Sequence, residues 1–128
     1  MRILWFSVTP SLFNPHTNEH NGGGWIASLE KIVRMEENIQ LGVAFEFPDG
    51  HFRYDKGSVV YYPIQYNKRS WIKKWLNNPN EKEKAKYYLK IIEDFKPDLI
   101  QIFGSENDFG LICQYTQIPV VIHMQGCI

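Results

Sequence analysis

Cysteine is scarce in this chain, charge of either sign is balanced by the other, and long apolar runs are missing. Cys113 and Cys127 are the two cysteines in 128 residues. They lie on separate predicted elements without metal-site spacing, so the expectation is free, mostly buried thiols in a reducing cytoplasm. Lys and Arg number 14, Asp and Glu also 14. A net charge of zero offers no long-range pull on nucleic acid, which is not expected as a partner. No apolar run approaches the roughly 20 residues of a membrane span. The apolar start, Met1–Phe6, has neither a long hydrophobic stretch nor a small-residue cleavage site, which argues against a signal peptide. Internal repeats and low-complexity tracts are missing as well. What is present is about one domain's worth of chain, long enough to bury a core without disulfide or metal staples. The chain is rich in Trp, Tyr and Phe. Some of these rings are expected on a groove or interface rather than in the core.

Arg2-Ile3-Leu4-Trp5-Phe6-Ser7-Val8 reads as a first, buried strand. The polar, proline-bearing stretch Thr9–Asn21 reads as a loop. A helix follows over Trp25–Glu37, with its apolar stripe on Trp25, Leu29, Ile32 and Val33. Ile39–Phe47 is a second strand, in which Leu41, Val43 and Phe45 alternate with Gln40, Gly42 and Ala44. Pro48-Asp49-Gly50 is a turn signal, His51–Tyr54 a short hairpin arm, and Ser58–Ile64 a third strand rich in Val and Tyr. Lys68–Leu76 carries an apolar stripe beside four cations and reads as an amphipathic helix. Asn78 as N-cap, Pro79 at the first helical position and Glu81 at the capping-box site open another helix. Its apolar face is Ala85, Tyr88, Leu89, Ile92 and Phe95, and Lys96-Pro97-Asp98 ends it. Leu99–Phe103 is a buried strand, Asp108–Tyr115 a short helix, and Val120–Met124 a last strand. Strands alternating with helices imply an α/β, Rossmann-like three-layer domain with a mainly parallel sheet. Ligands of such sheets lie beyond the carboxyl ends of the strands.

Gly22, Gly23 and Gly24 close the first loop and open into a helix. Glycines there let backbone N–H groups approach a ligand, and the helix dipole favours an anion. A phosphate seat is preferred over a plain hinge. The spacing is not the dinucleotide G-x-G-x-x-G, and no Gly-Lys-Ser/Thr of a P-loop follows. His16-Thr17-Asn18-Glu19-His20 matches H-x-x-E-H. Zinc chemistry needs that motif on a stable helix. Pro15 before it and three glycines after it leave little room for one, so a polar loop without metal is expected. Gly104, Ser105 and Glu106 follow a buried strand. The carboxylate could accept hydrogen bonds from substrate hydroxyls, or the segment could be a turn with a charge at the next helix's start. Gln125 and Gly126 end the last strand, where the amide suits a sugar hydroxyl or an ordinary turn. His123 reads as a core histidine with a partner. Lys68–Leu76, with Trp71 and Trp75, has the composition of an interfacial helix, although a solvated face is the preferred reading.

Met1–Phe6, Gly22–Leu29, Lys96–Glu106 and Ile118–Gly126 together resemble the N-terminal domain of a retaining family 4 glycosyltransferase with the GT-B fold. The blocks stand in the family's order and reach both ends of the chain. The resemblance implies transfer of a sugar from a nucleotide-sugar donor to a glycan or lipid-linked acceptor with retention, in polysaccharide, lipopolysaccharide or glycolipid assembly of a bacterial cell envelope. It implies that Gly22, Gly23 and Gly24 approach the donor diphosphate. It places His16, Gly104, Ser105, Glu106, Gln125 and Gly126 along the acceptor side of the cleft. No metal and no cofactor beyond the nucleotide-sugar are implied. Many relatives carry histidine where Gln125 and Phe103 stand. Gln125 cannot act as acid or base, and no catalytic residue is assigned.

The glutamate-rich donor domain of the family is not in this sequence. Residues 1–128 are therefore expected to be one acceptor-side domain, the truncated N-terminal half of a GT-B enzyme, inactive alone. Location is expected to be cytoplasmic; the interfacial reading of Lys68–Leu76 would add peripheral contact at the inner face of the membrane. An apolar face left uncovered by the missing half would favour self-association, which light scattering reads directly. Two other readings stand beside this one: a non-catalytic α/β module binding a phosphate ligand, and a GT-B nucleotide-sugar epimerase. A second Rossmann-like domain encoded downstream would favour the enzyme, and a stop codon after Ile128 the module.

Overall fold

The computed structural model describes residues 1–13, 24–48, 50–65, 81–104 and 108–124. In chain order they form β1 (Arg2–Ser7), α1 (Gly24–Val33), β2 (Gln40–Phe47), β3 (Tyr54–Lys56), β4 (Val59–Gln65), α2 (Glu81–Phe95), β5 (Leu99–Phe103), a 3-10 helix (Asp108–Gln114) and β6 (Val120–His123). Six strands make one sheet in the order β3-β4-β2-β1-β5-β6. All neighbours are parallel except β3, which pairs antiparallel with β4. Counting the parallel strands alone, the order is third, second, first, fourth, fifth. That order reverses at β1, between its neighbours β2 and β5, as in doubly wound nucleotide-binding sheets. The fold is Rossmann-like.

The period-2 geometry of strands divides the core into two. Leu4, Phe6, Ala44, Val60, Tyr62, Ile64, Ile100 and Ile102 face α2 and the 3-10 helix, meeting Tyr88, Ile91, Ile92, Phe95, Phe109 and Ile112. Ile3, Trp5, Leu41, Val43, Phe45, Val59, Tyr61 and Phe103 face the other way, toward Ile26 of α1 and Phe13 of the first loop. Both faces of the central strands are therefore covered, as in parallel sheets generally. In β2 both alternating sets meet a core, since Leu41 through Phe45 are all buried. Gly42 is small for a reason. A Cβ there would lie 3.0 Å from the Phe95 ring and 3.1 Å from Leu4.

Other boundaries move for local reasons. Helix α1 ends at Val33 rather than Glu37. Arg34 still donates four residues back, to Glu30 at 2.9 Å, and then N–H groups reach three back, Met35 to Ile32 at 3.1 Å and Glu36 to Val33 at 3.0 Å, the tightened last turn of a fraying helix. The hairpin arm is Tyr54–Lys56 rather than His51–Tyr54, because Gly57 at φ 62° supplies the left-handed turn residue. Residue Lys96 adopts φ 54° and ends α2. The Arg2 guanidinium caps the same terminus, donating to the Phe95 carbonyl at 2.6 and 2.8 Å, where a cation complements the helix dipole. The 3-10 helix buries Phe109 and Ile112 and turns Cys113 outward. The expected burial of that thiol is thus corrected, since residues three apart share a face in this helix. Asn78, Pro79, Cys127 and the Lys68–Leu76 helix lie outside the described residues. No described helix is long and apolar enough to cross a membrane.

Candidate functional site at the carboxyl edge of the sheet

The carboxyl ends of β1, β5 and β6 and the start of α1 meet at one edge. Strand β1 ends in Ser7, which is fully buried, and its hydroxyl accepts the Thr9 N–H at 3.1 Å. The chain then crosses toward β2 and β4 and is pinned there. The Phe13 ring lies 5.1 Å from Phe45, 5.4 Å from Phe47, 5.4 Å from Tyr54 and 5.2 Å from Tyr61. Ring pairs at such spacings stabilise beyond their buried area, by about 0.5–1.5 kcal/mol each. The stem of the loop is therefore fixed before the glycine run begins.

Gly24 is the first residue of α1 and has φ 54°. A Cβ there would meet nothing within 4 Å, so the glycine answers to backbone conformation and not to crowding. The left-handed region costs an ordinary L-residue about 1–2 kcal/mol. Gly24→Ala is expected to lower stability by about 1 kcal/mol and Gly24→Asn by less, since Asn tolerates that region. Urea unfolding of the two variants checks this. Gly104, at the far side of the edge, has φ 95° and is buried. Its N–H donates to the His123 carbonyl at 2.8 Å, carrying the β5–β6 ladder to its last rung. Of the expected site residues, Gly24 and Gly104 are thus placed at this edge. His16, Gly22, Gly23, Ser105, Glu106, Gln125 and Gly126 lie outside the described residues.

Sequence reasoning missed a cluster of rings beside Gly24. Trp25 is half-exposed, and its ring stands 5.2 Å from Phe103 and 6.4 Å from His123. Phe103 is fully buried, with Trp5 edge-on at 5.1 Å and His123 stacked at 5.2 Å. The Gln101 amide contacts His123 Nε2. His123 thus has the partner expected of it, but it is half-buried at the sheet edge rather than in the core. The Trp5 indole N–H is buried and has no hydrogen-bond partner among the described residues.

The second missed feature is Glu30. It sits on the inner face of α1 and is fully buried. The Tyr61 hydroxyl lies 3.0 and 3.1 Å from its two carboxylate oxygens. Arg34, one turn on, places Nε 3.2 Å from Glu30 and donates from Nη2 to the Tyr61 hydroxyl at 2.9 Å. The three groups close a ring of hydrogen bonds. Burial pushes the Glu30 carboxyl above its ordinary range, against the pull of Arg34, Tyr61, the Ser11 hydroxyl and the Leu12 backbone. Burial and the neighbouring Glu30 charge likewise hold the Tyr61 proton on. Ser11 and Leu12 belong to the pinned loop stem, so this network ties loop, helix and β4 together. The buried stripe of α1 is accordingly Ile26, Leu29, Glu30 and Val33, while Ile32 is exposed and Trp25 lies at the core's edge against Phe103. A mirror arrangement braces the other face, where Tyr62 donates to Asp94 at 2.8 Å and Arg53 bridges Asp94 and Asp55 at 2.9 Å each.

Comparison with protein-family profiles, curated proteins and solved structures returns no match. The reading of this edge therefore stands on its residues and on the strand order. Among the described residues no group of three metal-binding side chains is found.

Proposed function

We propose that this chain is the acceptor-side domain of a retaining glycosyltransferase of GT-B architecture. In this reading it works with a second, donor-binding domain to move a sugar from a nucleotide-sugar to a glycan or lipid-linked acceptor. One observation carries the reading. The turn of strand order at β1 sets a glycine-led helix, Gly24 onward, and the glycine end of β5, Gly104, at the same sheet edge. That is where doubly wound domains hold phosphate-bearing ligands. The four sequence blocks that resemble the family supply the choice of chemistry within that class. On this reading Gly22, Gly23 and Gly24 face the donor diphosphate, and Ser105, Glu106, Gln125 and Gly126 the acceptor. On this reading the site of action is the cytoplasm.

Calorimetric titration of the full-length polypeptide with a panel of nucleoside diphosphates tests it. One diphosphate should bind, and Gly24→Val should weaken it about tenfold, the equivalent of 1.4 kcal/mol. Equal binding by Gly24→Val, or no transfer from any nucleotide-sugar, would remove the support. Transfer by residues 1–128 alone would refute the division of labour between two domains.

A further inference from the structure

We propose that Trp25, Gln101 and His123 form a platform for a neutral pyranose ring on the α1 side of β5 and β6. Assigning that ring to the acceptor rests on the glycosyltransferase reading, whereas the platform itself rests on its own geometry. Trp25 lies off the buried stripe of α1, at 49% exposure, yet it is not a free surface side chain. Its ring is held edge-on by Phe103, which is itself locked between Trp5 and His123. An exposed indole held in one orientation loses little conformational entropy when a ligand docks. Its π face, negative in the ring quadrupole, suits the C–H face of a sugar.

The polar half of the platform is next to it. Phe103 and His123 are register partners, and Gln101 lies two residues before Phe103 on the same sheet face. The Gln101 amide nitrogen meets His123 Nε2. Beyond that contact, the Gln101 amide and the His123 imidazole still hold both hydrogen-bond donor and acceptor atoms between them. A donor and an acceptor side by side match neighbouring sugar hydroxyls, each of which both donates and accepts. None of Gly24, Trp25, Gln101, Phe103, Gly104 or His123 is an acidic or strongly basic residue, which favours an uncharged ring. The shape argues against a nucleobase. The Trp25 and His123 rings are inclined by 56° at 6.4 Å, a corner rather than the parallel slot that a flat base fills.

Saturation-transfer NMR on the whole chain, with methyl pyranosides of differing hydroxyl configuration beside uridine and adenosine, tests the proposal. At least one pyranoside should bind. Trp25→Ala should weaken it about tenfold, Trp25→Phe should restore part, and Gln101→Leu should weaken it about threefold by removing a hydrogen bond. Circular dichroism identifies a variant that has lost its fold, in which case Gln101→Leu alone decides. Absence of pyranoside binding, binding unchanged in the folded variants, or nucleosides binding instead would overturn it. The two readings fail separately. Pyranoside binding without transfer activity in the full-length protein sinks the transferase and leaves the platform. Transfer with an acceptor KM unchanged by Trp25→Ala and Gln101→Leu sinks the platform and leaves the transferase.

Discussion

Glu30→Ala is expected to cost about 3–5 kcal/mol of folding stability, the usual result of breaking a buried charge pair from one side. The loss has three parts. Tyr61 is fully buried and would lose the acceptor of its hydroxyl proton. Truncation of a fully buried side chain also leaves a cavity. The loop stem at Ser11 and Leu12 would lose its tie to Glu30 and keep only the Ser11 hydroxyl's bond to the Ile26 carbonyl. Arg34 softens the effect, because its side chain is one-third exposed and can turn to water. Urea unfolding of the variant gives the number, and a change below about 1 kcal/mol would show that the network is not a structural tie. Replacing all three members together, Glu30→Leu, Tyr61→Phe and Arg34→Met, should cost far less than Glu30→Ala. Apolar replacements remove the desolvation penalty along with the attraction.

The same carboxylate predicts a pH dependence with a definite sign. Its folded pKa lies above its ordinary value of 4.5. Between those two values the folded protein keeps a proton that the unfolded chain has released. Stability from this group is therefore full below pH 4.5, falls as pH rises through the folded pKa, and is flat beyond it. Glu30→Gln should lack that decline while keeping the shape of the side chain. Unfolding curves of wild type and Glu30→Gln across that range, overlaid, would show a difference that narrows toward the acid end; parallel curves would contradict it.

Phe103→Ala should be comparably damaging, at about 3–5 kcal/mol. Phe103 is fully buried and touches three rings, Trp5, Trp25 and His123. Its removal opens a cavity under a half-exposed tryptophan, so the effects on stability and on the candidate site arrive together. Near-ultraviolet circular dichroism should lose tryptophan signal in proportion, since the fixed environment of two indoles depends on this ring. Phe103→Leu, which keeps most of the volume, should recover more than half of the stability. Loss of stability with an unchanged tryptophan spectrum would show that the ring fills space without orienting its neighbours.

Much of the architecture was legible because strand patterning is local. Runs such as Leu4-Trp5-Phe6 and Val59-Val60-Tyr61-Tyr62 form strands wherever they are buried, and their alternation with helices implies parallel pairing. The differences in α1 and β2 share one cause. A stripe read from apolar residues alone runs through Trp25 and Ile32 and omits the charged Glu30. A carboxylate is buried only when its partners are present, and Tyr61 lies 31 residues away. In β2 the alternation of Leu41, Val43 and Phe45 with Gly42 and Ala44 does not say what the two small residues meet. They are small because Phe95 of α2 comes close to one and the core covers the other.

The glycine before α1 could be found from sequence, since a helix needs an entry and left-handed backbone needs glycine. The ring cluster beside it could not. Trp25, Gln101, Phe103 and His123 come from three elements that only the strand order brings together. By itself, then, the sequence determined which of the described segments are strands and helices and that the sheet is mainly parallel, because each depends on residues close along the chain. The tertiary structure alone decided which face of α1 is buried, which charge is admitted to the core, and which side chains meet at the sheet edge. Those outcomes depend on desolvation and hydrogen-bond partners supplied from far along the chain, and no local pattern encodes them.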